Sequence, residues 1–285
     1  MQRRQLIELH EQPWCPTAVR DGATDCLRLI ATVGRQYRGV LPKLQAALAT
    51  TASTQIVDLC AGSGGPWSSL ASQLQPVAGQ PVAILLTDLY PRRLPLPSAH
   101  TQQPAKHGGT LHYLTMSVNA TQTPADLHGF RTLFTAFHHF PPATAQAILQ
   151  NAVDQGEGIA IFEQTRRNPL ALLFMMVLAP LVLLITPLIR PWRLRRCFWT
   201  YVIPAIPLVL AIDGIVSCLR TYTPAELQAM TARLTGQPYH WEIGIAPAPL
   251  SPLGITYLIG YPASATSSGP TVGHEEGPQQ VMGEA

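Results

Sequence analysis

The stretch Ile56-Val57-Asp58-Leu59-Cys60-Ala61-Gly62-Ser63-Gly64-Gly65-Pro66-Trp67 constrains the chain more than any other. A short apolar run ends in an acid, a turn of small residues follows, and a proline opens what reads as a helix. Strand, glycine turn and helix in that order form a nucleotide-binding corner of an α/β fold. Lacking a Cβ, Gly62 and Gly64 let a ligand approach the backbone and let the turn take positive φ. Pro66 suits the first helical turn, where its missing N–H costs no bond.

The residue types in this corner narrow the ligand. A dinucleotide fingerprint requires Gly-x-Gly-x-x-Gly. Its third glycine is replaced here by Trp67, whose indole prevents close helix–strand packing, so a nicotinamide-dependent oxidoreductase is disfavoured. A P-loop requires Gly-Lys-Ser/Thr, and this turn has no lysine. Asp58 would repel a phosphate and suits a ligand with a cationic or hydrogen-bond-donating end.

Asp58-Leu59-Cys60-Ala61-Gly62-Ser63-Gly64 resembles the first motif, acidic-x-Gly-x-Gly-x-Gly, of the class I S-adenosylmethionine-dependent methyltransferases. The departure is Cys60, a small residue where the first glycine is expected. A second apolar strand, Pro81 to Asp88, also ends in an acid. Asp88 follows the turn by about 20 residues, the spacing of a ribose-binding carboxylate. The resemblance implies a Rossmann-like, seven-stranded, mostly parallel sheet with helices on both faces and an antiparallel C-terminal edge hairpin. It implies S-adenosylmethionine as cofactor, held by Asp58, Cys60, Ala61, Gly62, Gly64 and Asp88. Asn119 fits the position that bonds the adenine amine, with an Asx turn as the alternative. Leading helices in this family cover the cofactor. Trp14 would then line the substrate pocket, or else anchor the N-terminal segment.

Periodicity supplies the remaining elements. Residues 1–22 read as irregular, and helices are expected over Asp25–Tyr37 and Leu41–Leu48. Further helices are expected over Pro66–Gln75, Thr144–Val153 and Pro224–Leu234. Strands are expected over Gln55–Cys60, Thr110–Met116, Arg131–Phe137, Gly158–Glu163, Tyr239–Ile245 and Ile255–Tyr261. Tyr90–Gly109 reads as a loop. Thr223, Pro224 and Glu226 spell a capping box. The paired His138 and His139 follow the fourth strand, at the edge that faces the transferred methyl in the resembled fold. They are candidates for a general base, with pocket lining or capping as the alternative. Metal binding is not expected, because adjacent histidines on a strand diverge. Glu163 ends the fifth strand at the ligand-binding edge; it would contact substrate or pair with Arg166 or Arg167.

The pattern is then interrupted. Leu170–Ile189 is about 20 residues without a charge, long enough to span a bilayer. Arg190, Arg193, Arg195 and Arg196 follow, and Cys197–Ile212 is a second apolar run broken by Pro204 and Pro207. Flanking strand and helix must join one domain, which excludes a single span. A two-span hairpin would put the arginine cluster on the far face, against the positive-inside rule. A monotopic hairpin satisfies both constraints and makes residues 170–212 a membrane anchor at the cytoplasmic face. The alternative is that both runs are buried as ordinary core.

Charged residues make up only 12% of the chain, against about 25% in typical soluble domains. That fits lipid contact or full burial. The net charge of +3 with arginines around one apolar region does not suggest nucleic acid. The five cysteines (15, 26, 60, 197, 218) form no C-x-x-C pair, and a reducing setting fits. The N-terminal residues carry no apolar signal core.

The expected organisation is an N-terminal helical cap (1–50), a methyltransferase core (51–165 and 220–262), an apolar helical insertion after the fifth strand (166–219) and a disordered tail (263–285). The expected activity is methyl transfer from S-adenosylmethionine to a small-molecule, lipophilic or membrane-associated acceptor. A non-catalytic, membrane-attached protein that keeps the nucleotide-binding fold is the alternative. Loss of glycine at position 60 favours that alternative, and retention of both Asp58 and Asp88 counts against it.

Overall fold

Seven strands form one mixed sheet: β1 (Gln55–Asp58), β2 (Ala83–Asp88), β3 (Thr110–Ser117), β4 (Phe130–Phe134), β5 (Ile159–Glu163), β6 (Tyr239–Ala248) and β7 (Ser251–Pro262). Their order is β3-β2-β1-β4-β5-β7-β6. β1 to β5 are mutually parallel, while β7 runs antiparallel to both β5 and β6. The computed structural model describes residues 1–34, 36–62, 64–91, 110–249 and 251–268. The expected loop over Tyr90–Gly109 and the expected disordered tail therefore lie largely outside the described residues. The tail's first residues, Ala263–Ser268, form a 3-10 turn that continues β7.

The central strands are apolar runs because both sheet faces are covered. Alternation sorts their side chains. Ile56, Ile84, Phe130 and Phe162 point to one face, against Leu44 and Leu48 of α2 (Leu41–Thr50) and Trp67 and Leu70 of α3 (Trp67–Leu70). Val57, Leu133, Ile159 and Ile161 point to the other, against Ile148 and Leu149 of α4 (Pro142–Gln155) and Leu227 and Met230 of α8 (Pro224–Thr231). The capping box at α8 forms as expected, with Thr223 and Glu226 bonding each other's backbone N–H.

A third layer lies beside the sheet. It joins α1 (Thr17–Gly34) to the insertion, which comprises α5 (Pro169–Ile185), α6 (Leu194–Cys197) and α7 (Ala205–Arg220). Val19, Ala23 and Cys26 of α1 pack with Val182, Ile206 and Leu210. Two glycines permit these helices to approach closely. A Cβ on Gly22 would meet Ile206 Cδ1 at 2.4 Å, and one on Gly214 would meet Met175 Sδ at 2.8 Å.

Four local expectations are corrected. The N-terminal helix begins at Thr17, not Asp25, and ends at Gly34, not Tyr37, so residues 17–22 of the expected irregular segment are helical. The helix after the glycine turn is one α-turn with a 3-10 extension over Ala71–Gln73. β4 ends at Phe134, and the two histidines sit on a 3-10 turn (Phe137–His139), not on a strand. Asp213-Gly214 does not end the second apolar run. It lies inside α7, which continues to Arg220 because its inner face is held by both α5 and the polar network described below.

Candidate active site

The C-terminal ends of β1, β2 and β4 converge on the glycine turn. Leu59 N–H donates to Thr132 O at 2.8 Å, and Ala61 N–H to Thr87 O at 2.9 Å, so both neighbouring strands fix the start of the turn. Cys60 then takes φ +59°, Gly62 +53°, Gly64 +99° and Gly65 +51°. The cysteine thus occupies the left-handed conformation for which the motif's first glycine is suited. That costs an L-residue roughly 1–2 kcal/mol. Its thiol is pushed by burial up to about 12 and is inert at neutral pH. A Cβ on Gly62 would meet no described atom within 4 Å, so the exposed backbone of this turn is open to a ligand.

Asp88 closes the corner. Its Oδ2 accepts the Gly62 N–H at 2.8 Å, and its Oδ1 accepts the Tyr90 N–H at 2.9 Å. Each carboxylate oxygen keeps a second lone pair for a further donor. Asp58 is placed differently from its expected role. It is 1% exposed, and its Oδ1 accepts the Thr132 hydroxyl at 2.6 Å. Burial pushes its carboxyl up to about 7, against the lowering effect of that hydrogen bond. Asp58 therefore stands beneath the turn and ties β1 to β4. Ala61 is buried under the turn as well. Asn119 forms the alternative Asx turn: its Oδ1 accepts both the N–H and the hydroxyl of Thr121. That oxygen is the acceptor an adenine amine would need.

The histidines belong to a second group at the same sheet edge. His138 is buried, with Nδ1 2.7 Å from Glu163 Oε2, while its backbone N–H donates to Glu163 Oε1 at 3.2 Å. Glu163 thus pairs with His138 and not with either arginine. Arg167 pairs with Glu226, and Arg166 donates to Leu253 O. His138 Nε2 faces Glu8 Oε1 at 3.7 Å. Burial disfavours the imidazolium, but the charges of Glu163 and Glu8 outweigh it, and the His138 pKa is raised. His139 Nδ1 lies 2.6 Å from Glu11. Burial would raise the Glu11 carboxyl, but His139 and Arg220 bring it down to about 2.

Glu8, His138 and His139 each offer a donor atom, all within 4.8 Å of one another. The expected divergence of the histidines fails because the 3-10 turn brings their ring centroids to 4.2 Å. The cation position of this cluster is taken by Arg220. Its Nη1 lies 2.9 Å from Glu8 Oε1 and 3.4 Å from His139 Nδ1. The residues before α1 are fastened to the same place by polar contacts. Arg3 donates to the carbonyls of His138 and Phe140, and the Leu9 and His10 N–H groups donate to Asp213 of α7. Trp14 is 68% exposed, at the turn before α1.

Several residues of the site carry no sequence signal. Glu8, Glu11 and Arg220 meet the histidines across 80 or more residues of chain, and Asp213 holds the N-terminal segment that carries the two glutamates. Thr135, just past β4, takes φ +47°, an outlier for a β-branched residue. Its hydroxyl is hydrogen-bonded to Tyr37 Oη at 2.5 Å. Such strain of about 1–3 kcal/mol persists only where surroundings enforce it, and it clusters at functional edges.

No family model matches the chain, and no curated protein matches it. Similar solved structures exist. Human N-acetylserotonin methyltransferase in complex with S-adenosylmethionine is 10% identical, with 86% of this chain and 58% of that one covered, at a TM-score of 0.46. Magnesium protoporphyrin IX methyltransferase from Synechocystis with bound S-adenosylhomocysteine is 14% identical, with 87% and 99% covered, at 0.43. The methyltransferase domain of bacterial Hen1 is 10% identical, with 79% and 98% covered, at 0.41. The chain spans less than two thirds of the first of these. The likeness is one of fold. At these values it carries no inference about activity.

Proposed function

We propose that this protein transfers a methyl group from S-adenosylmethionine to a small-molecule acceptor at the C-terminal edge of β1, β2 and β4. The observation that carries the reading is the Asp88–Gly62 contact, which sets a carboxylate with spare lone pairs against an open, positive-φ turn. Those residues fit a ribose and the chain that follows it: Asp88 would accept from the hydroxyls, and the exposed Gly62 backbone would allow close approach. Conformation at Cys60 supports the same reading, since the residue replacing glycine keeps glycine's φ.

The cofactor's sulfonium supplies an activated methyl group, which leaves orientation as the protein's main task. His138 is closed off beneath Glu8 in this state, so it serves as a positioning residue that holds the turn beyond β4. His139 is more open and remains the candidate to receive a proton from an acceptor hydroxyl or amine. We read the acceptor as lipophilic and the enzyme as attached to the cytoplasmic face of a membrane through residues 170–212. The support is the apolar insertion beside the sheet.

Thermal shift with S-adenosylmethionine, S-adenosylhomocysteine and NAD tests the cofactor. Stabilisation by the first two alone is the expected result. Stabilisation by NAD, or by none, would remove the reading. Incubation with labelled methyl donor and a membrane extract then tests transfer and the acceptor's phase.

A further inference from the structure

Outward from the third layer, α5 and its 3-10 extension to Leu188 present two faces. Ala171, Met175, Leu178 and Val182 are buried against α7, α1 and Leu253 of β7. Leu170, Leu173, Val177, Leu181, Leu184 and Leu188 recur at spacings of three and four and are exposed. Pro169–Leu188 is long and apolar enough to cross a bilayer, yet only 29% of it is buried. That is the reverse of a core helix in a water-soluble domain. Exposed Trp192, Val202 and Leu208 extend the apolar surface onto the next two segments. A patch of this extent is not left to water in a stable soluble protein.

The helix is nevertheless not built to be surrounded by lipid. Its packing partner α1 exposes Asp21 and Arg28, and α1 lies beside the far end of α5, around Val182 and Ile189. α7 is committed to the catalytic body through Asp213, Ser217 and Arg220, which bond the N-terminal segment. Its axis also turns by 74° from the preceding helical segment. A span along α5 would drag these charged neighbours into hydrocarbon, which is costly.

The segment's own charge is one-signed, although Arg193 also lies 3.8 Å from Asp25 of α1. No Asp or Glu occurs between Glu163 and Asp213, while Arg190, Arg193 and Arg195 are exposed at the end of the apolar face. Arg196, counted by sequence with this cluster, is instead buried on Asp25 and the carbonyls of Ile189 and Pro191. Trp192 lies between Arg190 and Arg193 in the chain, and the exposed Tyr201 donates to Leu183 O of α5; both are amphipathic ring types that favour the headgroup level.

We infer that this face is a one-sided docking surface for an anionic lipid leaflet, entered by the outer face of α5 while α1 stays in water. It deepens the membrane attachment proposed above and does not depend on methyl transfer. Apolar side chains supply the burial, and the three exposed arginines supply the attraction to acidic headgroups.

Flotation with vesicles of phosphatidylcholine, with and without phosphatidylglycerol, tests the inference. Binding should be stronger to the anionic vesicles and should weaken with salt. Replacing Arg190, Arg193 and Arg195 by Gln should cost roughly 10²-fold on anionic vesicles, at about fivefold per charge, and little on neutral ones. Val177→Asp with Leu184→Asp should abolish both, with an unchanged circular dichroism spectrum and melting temperature because both side chains point outward. Full-length protein that is monomeric in plain buffer and does not float would overturn the proposal. So would a stable dimer broken by the two aspartates. Labelling of a Leu188→Cys variant by an impermeant maleimide trapped inside the vesicles would show a crossing helix and remove the one-sided mode. Methyl-transfer activity is read separately, so its absence leaves this result intact.

Discussion

Glu163 holds His138 by two bonds: Oε2 lies 2.7 Å from the ring Nδ1, and Oε1 accepts the backbone N–H at 3.2 Å. One carboxylate thereby fixes both the ring and the turn that carries it. Glu163→Ala would leave the histidine buried without its partner, a loss of about 3–5 kcal/mol for a broken buried pair. Glu163→Gln keeps the shape and removes the charge that raises the imidazole pKa. The expected outcome is a His138 titration shifted to lower pH in the Gln variant, read from ring-proton NMR. An unchanged titration would show that Glu163 does not set its charge.

Stability is expected to fall as pH rises above neutral. His10 and His138 both have raised pKa values in the fold, through Asp213 and Glu163 respectively, despite opposing burial. The folded state then binds more protons than the unfolded state, so stability decreases with pH. This contribution is complete below about 6.5, the ordinary imidazole value, and is lost as pH passes the raised values. Asp58 acts with the same sign at lower pH, across the window from 3.8 to about 7. Glu11, held down at about 2, opposes them on the acid side, where its contribution is lost as pH falls below 4.5. Melting temperatures should therefore be highest in mild acid and lower at pH 8. A melting temperature that climbs from pH 6 to pH 8 would contradict this. Asp58→Asn should flatten the part below pH 7.

Asp88→Ala should weaken S-adenosylhomocysteine binding at least tenfold by calorimetry, since each charge-assisted hydrogen bond to the ribose contributes about 1.5–3 kcal/mol. The Gly62 N–H also loses its partner, but at an exposed position where water replaces it. The ligand-free melting temperature should move little. Equal affinity in the variant would take Asp88 out of the site and damage the methyltransferase reading with it.

Cys60→Gly should stabilise the protein by up to about 1 kcal/mol, because the left-handed φ is relieved at the cost of a more flexible unfolded chain. Cys60→Val should destabilise it, since a β-branched residue tolerates that φ least. Denaturant unfolding measures both. The order Val below Cys below Gly is the expected result, and a Gly variant less stable than wild type would show that the thiol's packing outweighs the strain.

Sequence alone determined the sheet and its corner. Apolar runs ending in acids, with a glycine turn between the first two, are local signals, and β1, β2, Asp88 and the turn appear where such signals place them. The closing hairpin and the α8 capping box were legible for the same reason: each is decided within a few residues of chain. Tertiary structure decided the rest. Asp58 became a buried strut because a neighbouring strand brings Thr132 to its carboxylate. The histidines became a paired, covered cluster because the chain's first residues return to them from 128 positions away, carrying Glu11, with Glu8 alongside. The arginine run divided into buried Arg196 and exposed Arg190, Arg193 and Arg195 because Arg196 meets Asp25 of α1 at 2.7 Å and the carbonyls of Ile189 and Pro191, whereas Arg193 reaches Asp25 only at 3.8 Å. Hydropathy along a chain marks an apolar segment but not which of its faces meets protein. Helix packing sets that, and it turned one uniform run into an inner face on α7 and an exposed outer face.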